Sequence, residues 1–190
     1  MRLWRRSISA ERIPHGGHRP LLQEMRTGVA LGSNLGDRLG NLCAARKAIL
    51  GLSNVKPPIL FSAIYETDPV DCEPGADKFL NAVVEFEYEG DPTSLLDQLI
   101  GIERTLGRQR GHPKNFSRTI DIDMLYCGDR NVEDERLHLP HPRMHLRKFV
   151  LQPLADIRRG LVLPGQTQTV DELLAKLKES GEIVRFMDNW

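Results

Sequence analysis

Aromatic residues make up only 6% of the 190-residue chain, and no apolar run approaches the ~18 residues that a membrane-spanning helix needs. The few rings leave no sign of the aromatic strand motifs with which many RNA-binding modules stack bases. Cysteines number three, Cys43, Cys72 and Cys127, and none has CxxC spacing. They make neither a disulfide framework nor a zinc site, and they fit a reducing compartment, so a cytoplasmic protein is expected. An excess of one charge is also missing, since 26 Lys+Arg balance 26 Asp+Glu. That balance argues against a surface built for nucleic acid or anionic membrane. Neither GxGxxG nor a P-loop occurs, and Gly32-Ser33-Asn34-Leu35-Gly36 reads as a tight strand-to-helix turn.

What is present suits one soluble globular domain with a tail: 40% hydrophobic and 27% charged residues in a chain of this length. The charge balance is a cancellation. Residues 1–25 hold five Arg against two Glu, and the remainder holds 21 basic against 24 acidic residues. The first stretch shows neither strand alternation nor a helical stripe, lacks the apolar centre of a secretory signal, and only partly resembles a mitochondrial transit peptide. Residues 1–25 are therefore expected to be a basic, disordered extension, dispensable as far as residue 24, and residues 26–190 a single domain.

From Arg26 the pattern alternates between strand and helix. Residues 28–32 predict a short strand, and Leu35, Leu39, Leu42, Ile49 and Leu52 mark the buried face of a helix. Residues 58–66 read as one strand after Pro57-Pro58, and 79–88 as another with Leu80, Ala82, Val84, Phe86 and Tyr88 on one face. Asp91-Pro92 starts a helix carrying Leu95, Leu96, Leu99, Ile102 and Leu106, with Gly107 as its C-cap. Residues 119–127 alternate, Ile120, Ile122, Met124 and Tyr126 against Thr119, Asp121, Asp123 and Leu125. Gly128-Asp129 predicts a hairpin into a strand at 137–139. Helices at 142–156 and 168–179 and a strand at 182–186 complete the chain. The order βαββαβ predicts a ferredoxin-like α+β sandwich with an antiparallel-rich sheet.

The chemistry concentrates between Arg108 and Asp123. Arg108, Arg110, Lys114 and Arg118 lead directly into Asp121 and Asp123, which a strand would place on one face with Cα atoms roughly 6.5–7 Å apart. Taken alone, such a pair suits a solvated face better than a site. Together, hard oxygen ligands suit Mg²⁺ shared with phosphates, and guanidinium forks suit the same phosphates. That combination is what phosphoryl transfer from a nucleotide requires.

Six segments then carry a family resemblance: ALGSNLGDR (30–38), SxxYxTxPV (62–70), FLNAVVEFE (79–87), IERTLGR (102–108), RTIDIDML (118–125) and LxLPHPRMHxRxFVLxPLADI (137–157). In this order they resemble 6-hydroxymethyl-7,8-dihydropterin pyrophosphokinase. The resemblance implies ATP as co-substrate, two Mg²⁺ ions, and transfer of the terminal pyrophosphoryl group to the pterin's hydroxymethyl oxygen, with release of AMP. It implies that Asp121 and Asp123 hold the metal, that Arg108 and Arg118 are catalytic, and that Arg108, Arg110, Arg118, His141 and Arg147 bind ATP. For the pterin it implies Thr67, Asp68, Val70, Asn81 and Phe149, the ring stacking and the Asn81 amide pairing with the heterocycle's edge. The partners implied are these two small molecules, without nucleic acid or membrane, and a monomer is expected. Two departures from the family pattern bear on the site. Asn115-Phe116-Ser117 stands where many members have a tryptophan or Gly-Pro, so the covering ring is either Phe116, shifted by one place, or missing, and Pro142 stands where some have a tyrosine.

Overall fold

The computed structural model describes residues 25–70, 72–108, 116–177 and 181–190. The expectations for residues 1–24, for Arg110 and Lys114, and for the end of the 168–179 helix beyond 177 lie outside the described residues. The elements run β1 (Met25–Ser33), α1 (Arg38–Leu50), β2 (Val55–Phe61), β3 (Ile64–Thr67), β4 (Phe79–Tyr88), α2 (Pro92–Thr105) and β5 (Asp121–Cys127). There follow the two-residue strands β6 (Val132–Glu133) and β7 (His138–Leu139), a 3₁₀ turn at Met144–Leu146, α3 (Lys148–Arg158), α4 (Val170–Lys176) and β8 (Ile183–Met187).

The main sheet has the order β5-β1-β4-β3-β8, with β2 also on β4, and all its pairings are antiparallel. With β2 and β3 taken as one interrupted strand, this is the ferredoxin-like arrangement. The alternation of β4 decides what lies on each side. Leu80, Ala82, Val84, Phe86 and Tyr88 pack under α1 and α2, with Val29, Leu31, Ile122 and Met124. Val83, Leu125 and Tyr126 pack under α3 and α4 on the opposite face, with Val150, Leu151 and Leu154. Each buried Val, Leu, Ile, Met or Phe among them contributes roughly 1.5–3 kcal/mol. The helix starts follow from their caps. Asp37 accepts from the Gly40 N–H, Asp91 from the Ser94 N–H ahead of Pro92, and Thr169 forms a capping box with Glu172. No helix among the described residues is long and apolar enough to cross a membrane.

Several expectations are corrected. The single strand at 58–66 is two strands, broken at Ser62-Ala63, because the Ser62 side chain accepts from the Val83 N–H in place of a regular ladder bond. Leu35 precedes α1 and is exposed, since the turn through Gly36 (φ +71°) holds the helix start back to Arg38. The turn after β5 does not return a strand along it; β6 and β7 pair with each other in a small separate sheet. The helix expected at 142–156 is a 3₁₀ turn followed by α3, which runs to Arg158.

Tyr126 is the most informative correction. Gly28 and Val29 of β1 pair with Tyr126 and Met124, leaving Leu125 as an extra residue in β5. This bulge reverses the alternation, so Tyr126 joins the α3 side. Its hydroxyl donates to buried Glu85 at 2.5 Å, and Glu85 also accepts from Arg158 at 2.6 and 2.8 Å.

Candidate active site

On the α3 side of the sheet, Val83 and Leu125 are covered, but the ends of β1, β4 and β5 beyond them are not. There a cleft of about 750 Å³ opens. Its floor follows from register: Gly32 pairs with Asn81 on one side and with Asp121 on the other. One row farther in, Ala30 pairs with Val83 and Asp123. The antiparallel sheet therefore turns Asn81, Asp121 and Asp123 to the same face. Gly32 leaves a gap between them, and a Cβ there would lie 3.1 Å from Asn81 Oδ1.

Asp121 is held by two arginines. Arg108 Nη1 lies 2.6 Å from its Oδ1, and Arg118 Nη1 lies 2.7 Å from its Oδ2. Asp123 has Arg147 at 3.8 Å. Burial, and then the charge of Asp121, push the Asp123 carboxyl up to about 6, against the pull of Arg147, Arg108 and Arg118. Two carboxylates whose proximity costs energy favour a cation. They form an oxygen-only donor set, and the described residues contain no cluster of three or more His, Cys, Asp or Glu able to hold a metal alone. Such a set suits Mg²⁺ completed by phosphate oxygens and water.

The wall beside the aspartates is cationic. Arg108, Arg118, Arg143 and Arg147 line the cleft with His141. Burial, with Arg147 and Arg143 nearby, lowers the His141 pKa to about 4, so its ring is neutral at physiological pH. Its Nδ1 accepts the Arg143 N–H at 3.2 Å, which leaves the proton on Nε2 as a donor.

The remaining lining residues are mostly apolar. Phe149, with the Arg147 guanidinium 5.4 Å from its ring centre, lines the cleft with Val70 and Phe79. Phe116 lines it too, which places a ring from the covering segment at the site. Asn81 Nδ2 donates to Thr67 Oγ1 at 2.8 Å, orienting the amide. Thr67 itself stands behind Asn81 and does not line the cleft. Asp68 lines it, but its carboxylate accepts the Glu182 N–H at 2.9 Å and pairs with Lys78 at 3.3 Å. The Glu182 backbone bond, ahead of Lys78, holds the Asp68 carboxyl below its ordinary pKa. Arg110 lies outside the described residues.

Three supporting residues escaped the sequence reading. Asn34, buried in the β1–α1 turn, accepts the Arg118 N–H at 2.8 Å and donates its own N–H to the Arg118 carbonyl at 3.2 Å. Its Nδ2 donates to Ser117 Oγ at 3.0 Å. Glu73 accepts from the Ser117 N–H and hydroxyl at 2.9 and 2.6 Å. Glu103 accepts from the Ile122 N–H at 2.8 Å and pairs with Arg108. Burial, its largest influence, pushes the Glu103 carboxyl up. Only Glu103 carried a signal, as an acid four residues beyond Leu99 on the buried stripe of α2. Asn34 and Glu73 depend on contacts distant in sequence.

A model of the family described as 7,8-dihydro-6-hydroxymethylpterin-pyrophosphokinase (HPPK) matches residues 28–159. The 2-amino-4-hydroxy-6-hydroxymethyldihydropteridine pyrophosphokinase of Haemophilus influenzae is 40% identical, over 80% of this chain and 92% of its own. The protein of the same name from Bacillus subtilis is 45% identical over 68% of this chain and 75% of its own. Among solved structures, wild-type Plasmodium falciparum HPPK-DHPS is similar with a TM-score of 0.63 at 15% identity. That match covers 80% of this chain but 44% of the solved one, and it is a likeness of fold.

Proposed function

Because the chain belongs to the 7,8-dihydro-6-hydroxymethylpterin-pyrophosphokinase family, we propose that the cleft spanning Asn81, Asp121 and Asp123 is where it carries out the family's reaction. The enzyme transfers the terminal pyrophosphoryl group of ATP to 6-hydroxymethyl-7,8-dihydropterin in folate biosynthesis, giving the pterin diphosphate and AMP. The hydroxymethyl oxygen attacks the β-phosphorus, its proton is lost, and the bond from the β-phosphorus to the α,β-bridging oxygen breaks.

In this reading Phe149 stacks on the pterin, Phe116 covers it from the 116–118 segment, and Asn81 pairs with its amide-like edge. Thr67 fixes the Asn81 amide, while Asp68 and Val70 border the ring. Arg108, Arg110, Arg118, Arg147 and neutral His141 bind the nucleotide, with Arg108 and Arg118 countering charge on the transferring group. Asp121 and Asp123 hold Mg²⁺, as two ions. Bound magnesium supplies charge neutralisation at the phosphate oxygens and makes the acceptor hydroxyl easier to deprotonate. The arginines on Asp121 are then free to turn to the phosphates.

The observation that carries this reading is the register of β1 with β4 and β5, which brings an amide suited to a flat heterocycle and, from two successive rows, a carboxylate pair suited to a metal–phosphate group to one cleft. The test is to incubate the protein with ATP, Mg²⁺ and the hydroxymethyl dihydropterin and identify the products. AMP and pterin diphosphate, formed only when pterin and metal are both present, are expected. Formation of ADP, or ATP consumption indifferent to the pterin, would refute the assignment.

A further inference from the structure

We propose that Glu103 is a positioning residue for the transfer: from its place against the strand that carries Asp121 and Asp123, it holds Arg108 in the arrangement that receives the triphosphate. This rests on the reading of Arg108 and the aspartates given above. Glu103 occupies a place where helical periodicity calls for an apolar side chain, after Leu95 and Leu99 on the buried stripe of α2. It is only 6% exposed. A carboxylate buried there carries a desolvation cost that leucine would not, and it is tolerated only when its oxygens are met by donors.

Two donors reach the same oxygen. The Ile122 N–H lies 2.8 Å from Glu103 Oε1, and Arg108 Nη1 is its ion-pair partner. Ile122 is the residue between the two aspartates, so the first bond braces the strand directly under the carboxylate pair. Arg108 Nη1 also contacts Asp121 Oδ1 at 2.6 Å, so one guanidinium nitrogen is shared by two carboxylates. Only one of these faces the ligand space: Asp121 lines the cleft and Glu103 does not.

The backbone supports the same contact. Gly107 adopts φ +85°, which a residue with a side chain rarely does. The Gly107 N–H then donates to the Arg104 carbonyl at 3.1 Å and the Arg108 N–H to the Glu103 carbonyl at 3.0 Å. These are the two bonds of a Schellman closure. The chain is turned back so that Arg108 lies over Glu103, which holds it through main chain and side chain together. A ligand that draws off Asp121 leaves Glu103 as the carboxylate keeping Arg108 at the cleft wall.

The test is a double-mutant cycle on binding. Calorimetric titration with α,β-methylene-ATP and Mg²⁺ reads affinity without turnover, because the P–C–P bridge cannot be cleaved. E103Q keeps an oxygen for the Ile122 N–H and removes the charge that holds Arg108. It is expected to weaken binding about ten-fold, the scale of one charge-assisted hydrogen bond. R108A should weaken binding at least as much, and E103Q/R108A should be no weaker than R108A, because the two act through one contact. Wild-type affinity in E103Q, or an E103Q loss that adds fully to that of R108A, would overturn the proposal and leave Glu103 a strand brace. Wild-type affinity in R108A would overturn the underlying reading of Arg108 as well, a distinguishable failure. Should E103Q not fold, E103D carries the test: it keeps the charge but falls one methylene short, and wild-type affinity there would equally overturn the idea.

Discussion

Asn81 on β4 and Asp121 on β5 are both register partners of Gly32 on β1, so an amide and a carboxylate face one cleft two strand spacings apart, ~10 Å. The residue between them has no side chain, which leaves open space between the amide and the carboxylate. Gly32→Ala places a methyl 3.1 Å from Asn81 Oδ1. We expect a several-fold higher KM for the pterin, and for Gly32→Val a loss in kcat/KM of roughly 10²-fold, since small misplacements of bound groups cost that much. Thermal unfolding should move little or rise, because glycine inside a strand is entropically unfavourable. Steady-state kinetics beside a melting curve separate the two effects; a fall in stability with unchanged KM would show that Gly32 serves folding instead.

Removing either member of the acid pair should be far more damaging. Asp123→Ala or Asp121→Asn is expected to lower kcat on the order of 10²-fold or more, the scale of losing one preorganised electrostatic contact. Arg118→Ala should cost more than Lys114→Ala, because Asn34 fixes the Arg118 backbone from both sides and Asp121 holds its guanidinium. AMP release measured at saturating substrates checks both orders. Activity within a few-fold of wild type in Asp123→Ala would remove the pair from the mechanism.

His141 makes a prediction about acid stability. Its pKa in the folded protein lies near 4, below the ordinary 6.5, because burial and then the neighbouring Arg147 and Arg143 disfavour the charged ring. The unfolded chain therefore binds a proton at higher pH than the folded one. The stability associated with the neutral ring is fully present above about pH 6.5 and is lost as pH falls towards 4. Replacing His141 with Asn should flatten the fall in melting temperature across that window. An NMR titration of the free enzyme should find the ring unprotonated at pH 6; a midpoint near 6.5 would contradict the assigned environment.

A fourth prediction concerns Gly28, remote from the cleft. The β5 bulge lays the Tyr126 ring over it, and a Cβ on residue 28 would meet ring atoms at 2.5 Å. Gly28→Ala should destabilise the fold by about 1–3 kcal/mol through overpacking. Tyr126→Phe should not relieve the clash, because the offending atoms include ring carbons. Denaturant midpoints for the single and double variants provide the measurement. A stable Gly28→Ala protein would mean that the bulge is not held in this register.

The clearest parts of the sequence were those whose signal is local. The alternation in 79–88 and the cap at Asp91 each report a period or a hydrogen bond a few residues long. The aspartate pair was legible for the same reason, since a spacing of two on a strand fixes a common face. What the sequence could not decide depends on neighbours far along the chain. Alternation put Tyr126 with Ile122 and Met124, but the partner strand accepts Leu125 as an extra residue and turns Tyr126 over to Glu85. Nothing near Asn34 or Glu73 announces that they hold the Arg118 segment, because those bonds span 84 and 44 residues. The sequence by itself determined which groups are candidates for the chemistry: residue type and spacing picked out the aspartate pair and the arginines before it, and the family resemblance picked out the rest. Only the tertiary structure decided how those groups face one another, because strand register sets the row in which Asn81, Gly32 and Asp121 meet.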